Sequence, residues 1–349
     1  MNHHKNAQID SLSFASVISS IAVIFLHSNG VFWFFKDAGY WKTANVIECL
    51  FYFAVPVFFM ISGATLMDYR KRYDTRTFFK KRFIRTVIPY FGWSFIGLVF
   101  STFYLNRIAP NDITLEYLVN GLLQGSLYAY VFWFFIPLFM IYLSIPLFSA
   151  IPAQRQKSLF SYLAIAAFLL QFAIPFVITI TKTNIQYTLS IPSMGGYLFY
   201  CLAGYLLVHN ELKRSSRLIL YSLALAGLLM HMVGTYTLSL SRGCLDETFK
   251  GYLNLPCALY SIGSFVFLKQ LGTRMMSYKI VNKVILFLKG YTFPFYLMHL
   301  FVLDILSQEL HLNIYSLRYR LLSPLAAIAI IIPVTWLLRR IPFFKRLVP

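Results

Sequence analysis

Ten apolar stretches divided by short polar and basic segments organise the chain: residues 12–35, 45–68, 84–105, 127–150, 158–180, 194–209, 218–240, 252–271, 289–308 and 321–340. A helix needs about 20 apolar residues to cross a hydrocarbon layer of about 30 Å. The runs match that length, except the sixth, which is shorter and rich in glycine. None alternates with the period of two that a spanning β-barrel requires. The pattern predicts an all-α fold, a polytopic integral membrane bundle of about ten transmembrane helices, forming one unit over residues 1–349. The first run has no small-residue cleavage site followed by a polar region, so it reads as a retained span. There is no low-complexity segment, periodic repeat or appended soluble domain.

Composition agrees with this reading. Hydrophobic residues make up 58% of the chain and charged ones 12%, with mean hydropathy +0.65. Soluble domains carry roughly a quarter charged side chains, so most of this exterior must face lipid. The net charge of +19 does not point to nucleic acid, because the basic residues follow the loops. With the N-terminus placed in the cytoplasm, most Lys and Arg fall on the inner side, densest from Arg70 to Arg85. Lys36, Lys42, Arg107, Lys182, Arg242, Lys250, Arg318 and Arg320 remain for the outer side. The positive-inside rule then predicts a multi-pass protein of the cell (inner) membrane with both termini cytoplasmic, and with anionic lipids as neighbours of the basic segment. In the longest outer loop, around 106–126, Pro110, Asn111 and Asp112 signal a turn and suggest a small lid or interfacial element. The cysteines Cys49, Cys201, Cys244 and Cys257 have neither CxxC nor metal-type spacing and read as packing residues.

Ionisable side chains inside a membrane are costly and need a reason. Here they are His27, Glu48, His231, His299 and Asp304, with Asp68 and Arg85 near the cytoplasmic edge. His27 lies about 22 Å along its helix at 1.5 Å per residue, and Glu48 falls at similar depth. If the first two helices are neighbours, the carboxylate could orient the imidazole as a general base; the plainer alternative is a neutral His27 bonded to a carbonyl or serine, with Glu48 reaching interfacial water. Asp304 is turned about 140° from His299, so the two form no dyad on one face. His231 has no companion and reads as structural. Arg82 and Arg85, three apart, share a helical face, and paired guanidiniums suit phosphate; the basic stretch also serves simply as an anchor. Ser62 and Gly63 within FFMISG would let helices approach closely. Trp33, Trp41 and Trp133 read partly as an interfacial belt.

Four segments together resemble the acyltransferase-3 family of membrane O-acyltransferases, in particular the single-domain enzymes that acetylate bacterial surface polysaccharides. They are IDSLSFASVISSIAVIFLHS ending at His27, AVPVFFMISGATL with the downstream KKRFIRTVIPYFGWS, YVFWFFIPLFMIYLSIPLF around Trp133, and FPFYLMHLFVLDIL with His299. The resemblance implies transfer of an acyl group, usually acetyl, from cytoplasmic acyl-CoA to a hydroxyl of an extracytoplasmic or lipid-linked glycan. His27, helped by Glu48, would be the catalytic base. Arg82 and Arg85, with the adjoining Lys81, would hold acetyl-CoA, a donor substrate rather than a bound cofactor; Trp133 and His299 would meet the acceptor. No metal site is expected. Three positions depart from the family pattern: Ser16 and Tyr52 stand where arginine is usual, and Val131 where a histidine or polar residue is. They motivate the alternative of a glycan exporter built on the same fold.

Overall fold

The computed structural model describes residues 2–128, 130–189 and 196–349, with side chains from Ile9 onward. Ala129 of the fourth apolar run, residues 194–195 of the sixth and the side chain of Lys5 lie outside the described residues. Among those described, every regular element is helical. The N-terminal half comprises α1 (Asn2–Ser28), α2 (Gly39–Phe51), α3 (Ala54–Leu66), α4 (Thr75–Arg82), α5 (Ile88–Phe103), α6 (Leu115–Gln124), α7 (Phe135–Ser149) and α8 (Ala153–Ala167). The remainder comprises α9 (Ile174–Thr181), α10 (Leu198–His209), α11 (Arg214–Arg242), α12 (Leu255–Met275), α13 (Lys279–Lys289), α14 (Thr292–Glu309), α15 (Leu317–Leu338) and α16 (Pro342–Lys345).

Each apolar run falls on a helical segment. Among the described residues seven segments are long and apolar enough to span: Ile9–Ser28, Gly39–Lys71, Thr75–Phe103, Val131–Ser149, Ala153–Thr181, Arg214–Arg242 and Leu317–Leu338. The pair α13–α14, bent by 66°, makes an eighth if taken as one span. The other two runs form α10, with 12 residues, and α12, with 21 residues including Lys269 and Arg274. Helices dominate because lipid offers backbone N–H and C=O groups no partner, so each segment must satisfy its own. The bend before α14 is held by Arg339, whose guanidinium donates to the Gly290 carbonyl at 2.7 Å and lies over Tyr291.

The centre is built from the start of the chain. In the spans of α1 and α2–α3, 61% and 67% of the most apolar window is buried, against 22% in α11, so α11 presents most of its surface outward. Helix α1 packs against α3, α12, α14 and α15. Its C-terminal end is pinned immediately after His27: Ser28 donates to the Arg320 carbonyl at 3.0 Å and Asn29 to the Ala44 carbonyl at 2.9 Å. The buried Arg320 guanidinium in turn donates to Asn29 and Thr43. Arg320 is therefore an internal tie between α15, α1 and α2, where the charge pattern predicts an exposed loop cation.

Gly63 sits where α3 meets α10. A Cβ there would lie 1.9 Å from the Cys201 carbonyl oxygen, and one at Gly204 would lie 2.1 Å from that of Met60. The two backbones thus meet as closely as small residues permit. In the 106–126 segment, Pro110–Asp112 forms a 3-10 turn and the amphipathic α6 follows, with Leu115 and Leu123 exposed. All four cysteines are free; Cys49, Cys201 and Cys257 are buried and Cys244 is exposed in the loop after α11.

Candidate active site

A cavity of about 560 Å³ opens among α1, α3, α7, α14 and the 243–254 loop. Its walls are aromatic, with Trp33, Tyr52, Trp133, Tyr197, Tyr252 and Tyr296 contributing. At one end lie Glu48 and Lys250, and at the other Ser62, Thr86 and Tyr142, with His27 on the wall contributed by α1. Ser16, Val23 and His27 all line it, because seven and four residues bring side chains back to the same helical face.

His27 meets His299, not Glu48. The two imidazole rings lie 4.7 Å apart, centroid to centroid, tilted by 49°. His299 is itself fully buried behind the wall. Its Nδ1 lies 2.9 Å from the Phe295 carbonyl, and its Nε2 is buried without a hydrogen-bond partner. As the helical spacing predicts, Asp304 is engaged elsewhere, paired with Arg107 at 3.0 Å and bonded by the Tyr128 hydroxyl at 2.9 Å. His231 packs edge-on to Tyr52 at 4.9 Å, with both ring nitrogens buried and unpartnered.

Glu48 shares the cavity with His27, but its carboxylate is taken by Lys250, whose ammonium donates to Oε1 at 2.8 Å. The Lys250 ammonium also lies 3.9 Å from the Tyr52 ring centroid and 4.6 Å from that of Trp33, within the range of cation–π attraction. The loop that delivers it is folded on itself. The Asp246 side chain accepts from the Thr248 amide, and Asn254 bonds the carbonyls of Thr248 and Lys250. Gly251 has φ +128°, a backbone geometry that side chains rarely tolerate, and it turns the chain so that Lys250 and Tyr252 both reach the cavity. The charge pattern assigns Lys250 to a solvated loop; its one local mark is that glycine.

The aromatic residues form a continuous stack. Tyr52 lies on Tyr252 at 4.3 Å and 7°, and Tyr252 on Trp133 at 5.5 Å and 21°. Trp133 is thus part of the cavity wall. Trp41 is likewise internal, donating to the Phe32 carbonyl at 2.8 Å, whereas Trp33 is about half exposed.

Arg82 and Arg85 do not share a face as an α-helix would place them. Phe83–Val87 is a π-helical turn, which is wider than an α turn, and it leaves Arg85 exposed while Arg82 is half-buried. The Arg82 guanidinium lies 5.7 Å over the Tyr142 ring and 5.9 Å over Phe78. Thr86 donates to the Arg82 carbonyl at 2.6 Å, and Tyr142 and Thr86 both line the cavity. Arg82 therefore stands beside the end of the cavity lined by Thr86 and Tyr142. Lys81 is exposed, with its ammonium 3.9 Å over Tyr73.

The three positions that depart from the expected family pattern, Ser16, Tyr52 and Val131, all line this one cavity. Among the described residues no group of three or more His, Cys, Asp or Glu could hold a metal ion.

The sequence profile of the acyltransferase-3 family, described as an acyltransferase domain, matches residues 9–340. No curated protein and no solved structure shows significant similarity to the chain.

Proposed function

The chain belongs to the acyltransferase-3 family and is a membrane acyltransferase, and from that premise we propose that it is an O-acetyltransferase of a glycan. The donor is acetyl-CoA, entering from the cytoplasm, and the acceptor is a hydroxyl of an extracytoplasmic or lipid-linked sugar. The protein lies in the inner membrane with both termini cytoplasmic, the orientation in which its basic segments face inward. The observation that carries the reading is His27 on the wall of an aromatic cavity whose inner end adjoins Arg82.

The CoA phosphates bind the basic segment, with Arg82 closest to the cavity and Arg85 and Lys81 outside it, and the thioester reaches inward past Thr86 and Ser62. The acceptor sugar stacks against Trp133 and Tyr252. His27 takes the proton of the acceptor hydroxyl, a contribution of about 10²–10⁴-fold. The oxygen's electron pair forms a bond to the acetyl carbonyl carbon, the C–S bond breaks, and the departing thiolate takes the proton from His27. Glu48 acts at the other end of the cavity through Lys250, setting its shape and charge.

Inverted membrane vesicles supplied with acetyl-CoA labelled in the acetyl group test this reading. Label is expected to enter extractable glycolipid or glycan with wild type and not with His27→Ala. Transfer that survives His27→Ala would overturn the role of His27. The substitutions Ser16, Tyr52 and Val131 inside the cavity favour one second reading, a glycan exporter without acyl-transfer chemistry. Binding of acetyl-CoA that is lost on Arg82→Ala would count against it.

A further inference from the structure

We infer that the Glu48–Lys250 ion pair selects the acceptor by charge: the cavity takes an uncharged sugar, a hexose, deoxyhexose or N-acetylhexosamine, and turns away sugars that carry a carboxylate or phosphate. The inference rests on the reading of the chain as a glycan O-acetyltransferase.

Of the described residues that line the cavity, Glu48 is the one carboxylate and Lys250 the one lysine or arginine. The two neutralise each other. The Lys250 ammonium donates to Glu48 Oε1 at 2.8 Å, and both side chains are buried. Aromatic rings surround the ammonium: Tyr52 at 3.9 Å, Trp33 at 4.6 Å and Phe32 at 5.1 Å to their centroids. One ring joins this pair to the stacking surface, because Tyr52 lies beside the ammonium and also on Tyr252, which lies on Trp133. A sugar stacked on Tyr252 and Trp133 therefore has the ion pair close by.

An anionic sugar would meet an ammonium already committed and a carboxylate of its own sign. To gain Lys250 it would have to part a buried pair and leave Glu48 without a partner, which is costly in a site of low polarity. Like charges brought together at a binding surface are a means by which proteins reject a wrong partner. A protonated amino sugar fares no better, since Glu48 is taken and Lys250 repels it. An uncharged ring meets neither penalty. The other end of the cavity differs. Arg82 there lies over two aromatic rings, with its Nε buried and unbonded, and so remains a cation open to the phosphates of the donor.

The first test needs no mutation. Inverted membrane vesicles are supplied with acetyl-CoA labelled in the acetyl group, and mass spectrometry of the intact glycolipid identifies the sugar that carries the label. Label on an uncharged sugar is expected; label on a uronic acid, a sialic acid or a phosphorylated sugar overturns the inference. The second test uses detergent-solubilised membranes and two inhibitors that differ in charge alone, phenyl β-glucuronide and its uncharged carboxamide. On wild type the carboxamide is expected to suppress transfer about tenfold more strongly, the carboxylate being repelled by Glu48. Glu48→Gln, which frees the ammonium, is expected to move that ratio about tenfold toward the carboxylate. Equal potency of the two compounds on wild type, or an unmoved ratio in a folded Glu48→Gln variant, overturns the inference. Both wild-type measurements stand whether or not the variant folds. The two readings fail separately: no transfer by wild type sinks the acetyltransferase reading and this inference with it, whereas transfer to an anionic sugar sinks the charge selection alone.

Discussion

Lys250 and Glu48, 202 positions apart in the chain, form an ion pair of 2.8 Å with their side chains 1% and 5% exposed. Removing one partner of such a pair strands the other as a buried charge, which costs about 3–5 kcal/mol. Lys250→Met is therefore expected to lower the melting temperature in detergent markedly. The double variant Lys250→Met, Glu48→Gln should recover much of the loss, since neither residue then carries an unpaired charge. A single variant as stable as wild type would show that the pair does not hold the 243–254 loop in place.

The π turn at Phe83–Val87 separates the roles of two arginines that look equivalent in sequence. Arg82, beside Tyr142 on the cavity wall, is expected to matter more to the donor than the exposed Arg85. Arg82→Ala should raise the KM for acetyl-CoA by about tenfold or more, the scale of one charge-assisted bond. Arg85→Ala should raise it less, and its effect should fade at high salt. Titration of acetyl-CoA binding at two ionic strengths checks both, and equal losses would refute the distinction.

Gly63→Ala places a methyl group 1.9 Å from the Cys201 carbonyl oxygen, where backbone and not a flexible side chain must give way. Overpacking of this kind costs about 1–3 kcal/mol. Gly39→Ala, with nothing within 4 Å of the added carbon, serves as the control. Monodispersity and melting temperature in detergent should fall for the first and hold for the second. Equal stability would mean that α3 and α10 separate without penalty.

Asp74 caps α4: its side chain accepts from the Thr77 amide at 2.7 Å, and its carboxyl is held below the usual value of 3.8 first by the Thr77 side chain and second by that amide. A carboxylate with a lowered folded-state pKa stabilises above its unfolded value, and the benefit is lost as pH falls through the folded one. The gap in stability between wild type and Asp74→Ala should therefore be present at about pH 6 and shrink at about pH 3. A gap that is unchanged between the two would mean that the charge contributes nothing to the cap.

Much of this architecture is local and could be read without coordinates. Whether a stretch becomes a membrane helix depends on its own 20 or so side chains, because lipid rewards apolar surface and penalises an unpaired backbone wherever the segment lies in the chain. That is why each apolar run coincides with a helical segment and why Gly63 within FFMISG marks a close helix contact. Segment order and motif spacing likewise carried the family resemblance, which added to the case for His27 already made from its place inside a span. Other features depend on which faces meet, and periodicity along one segment is silent on that. Glu48 and His27 line one cavity, yet packing turns Glu48 to a lysine from a distant loop and His27 to His299. Lys250 and Arg320 look like loop charges because a charge count weighs position along the chain and not insertion across it. Arg82 and Arg85 part because one π turn changes the angular step, a departure no three-residue spacing encodes. The sequence by itself determined that this is a helical membrane protein of the acyltransferase-3 type; the tertiary structure alone decided which of its buried polar groups stand together, since those pairings arise from contacts between helices remote in the chain.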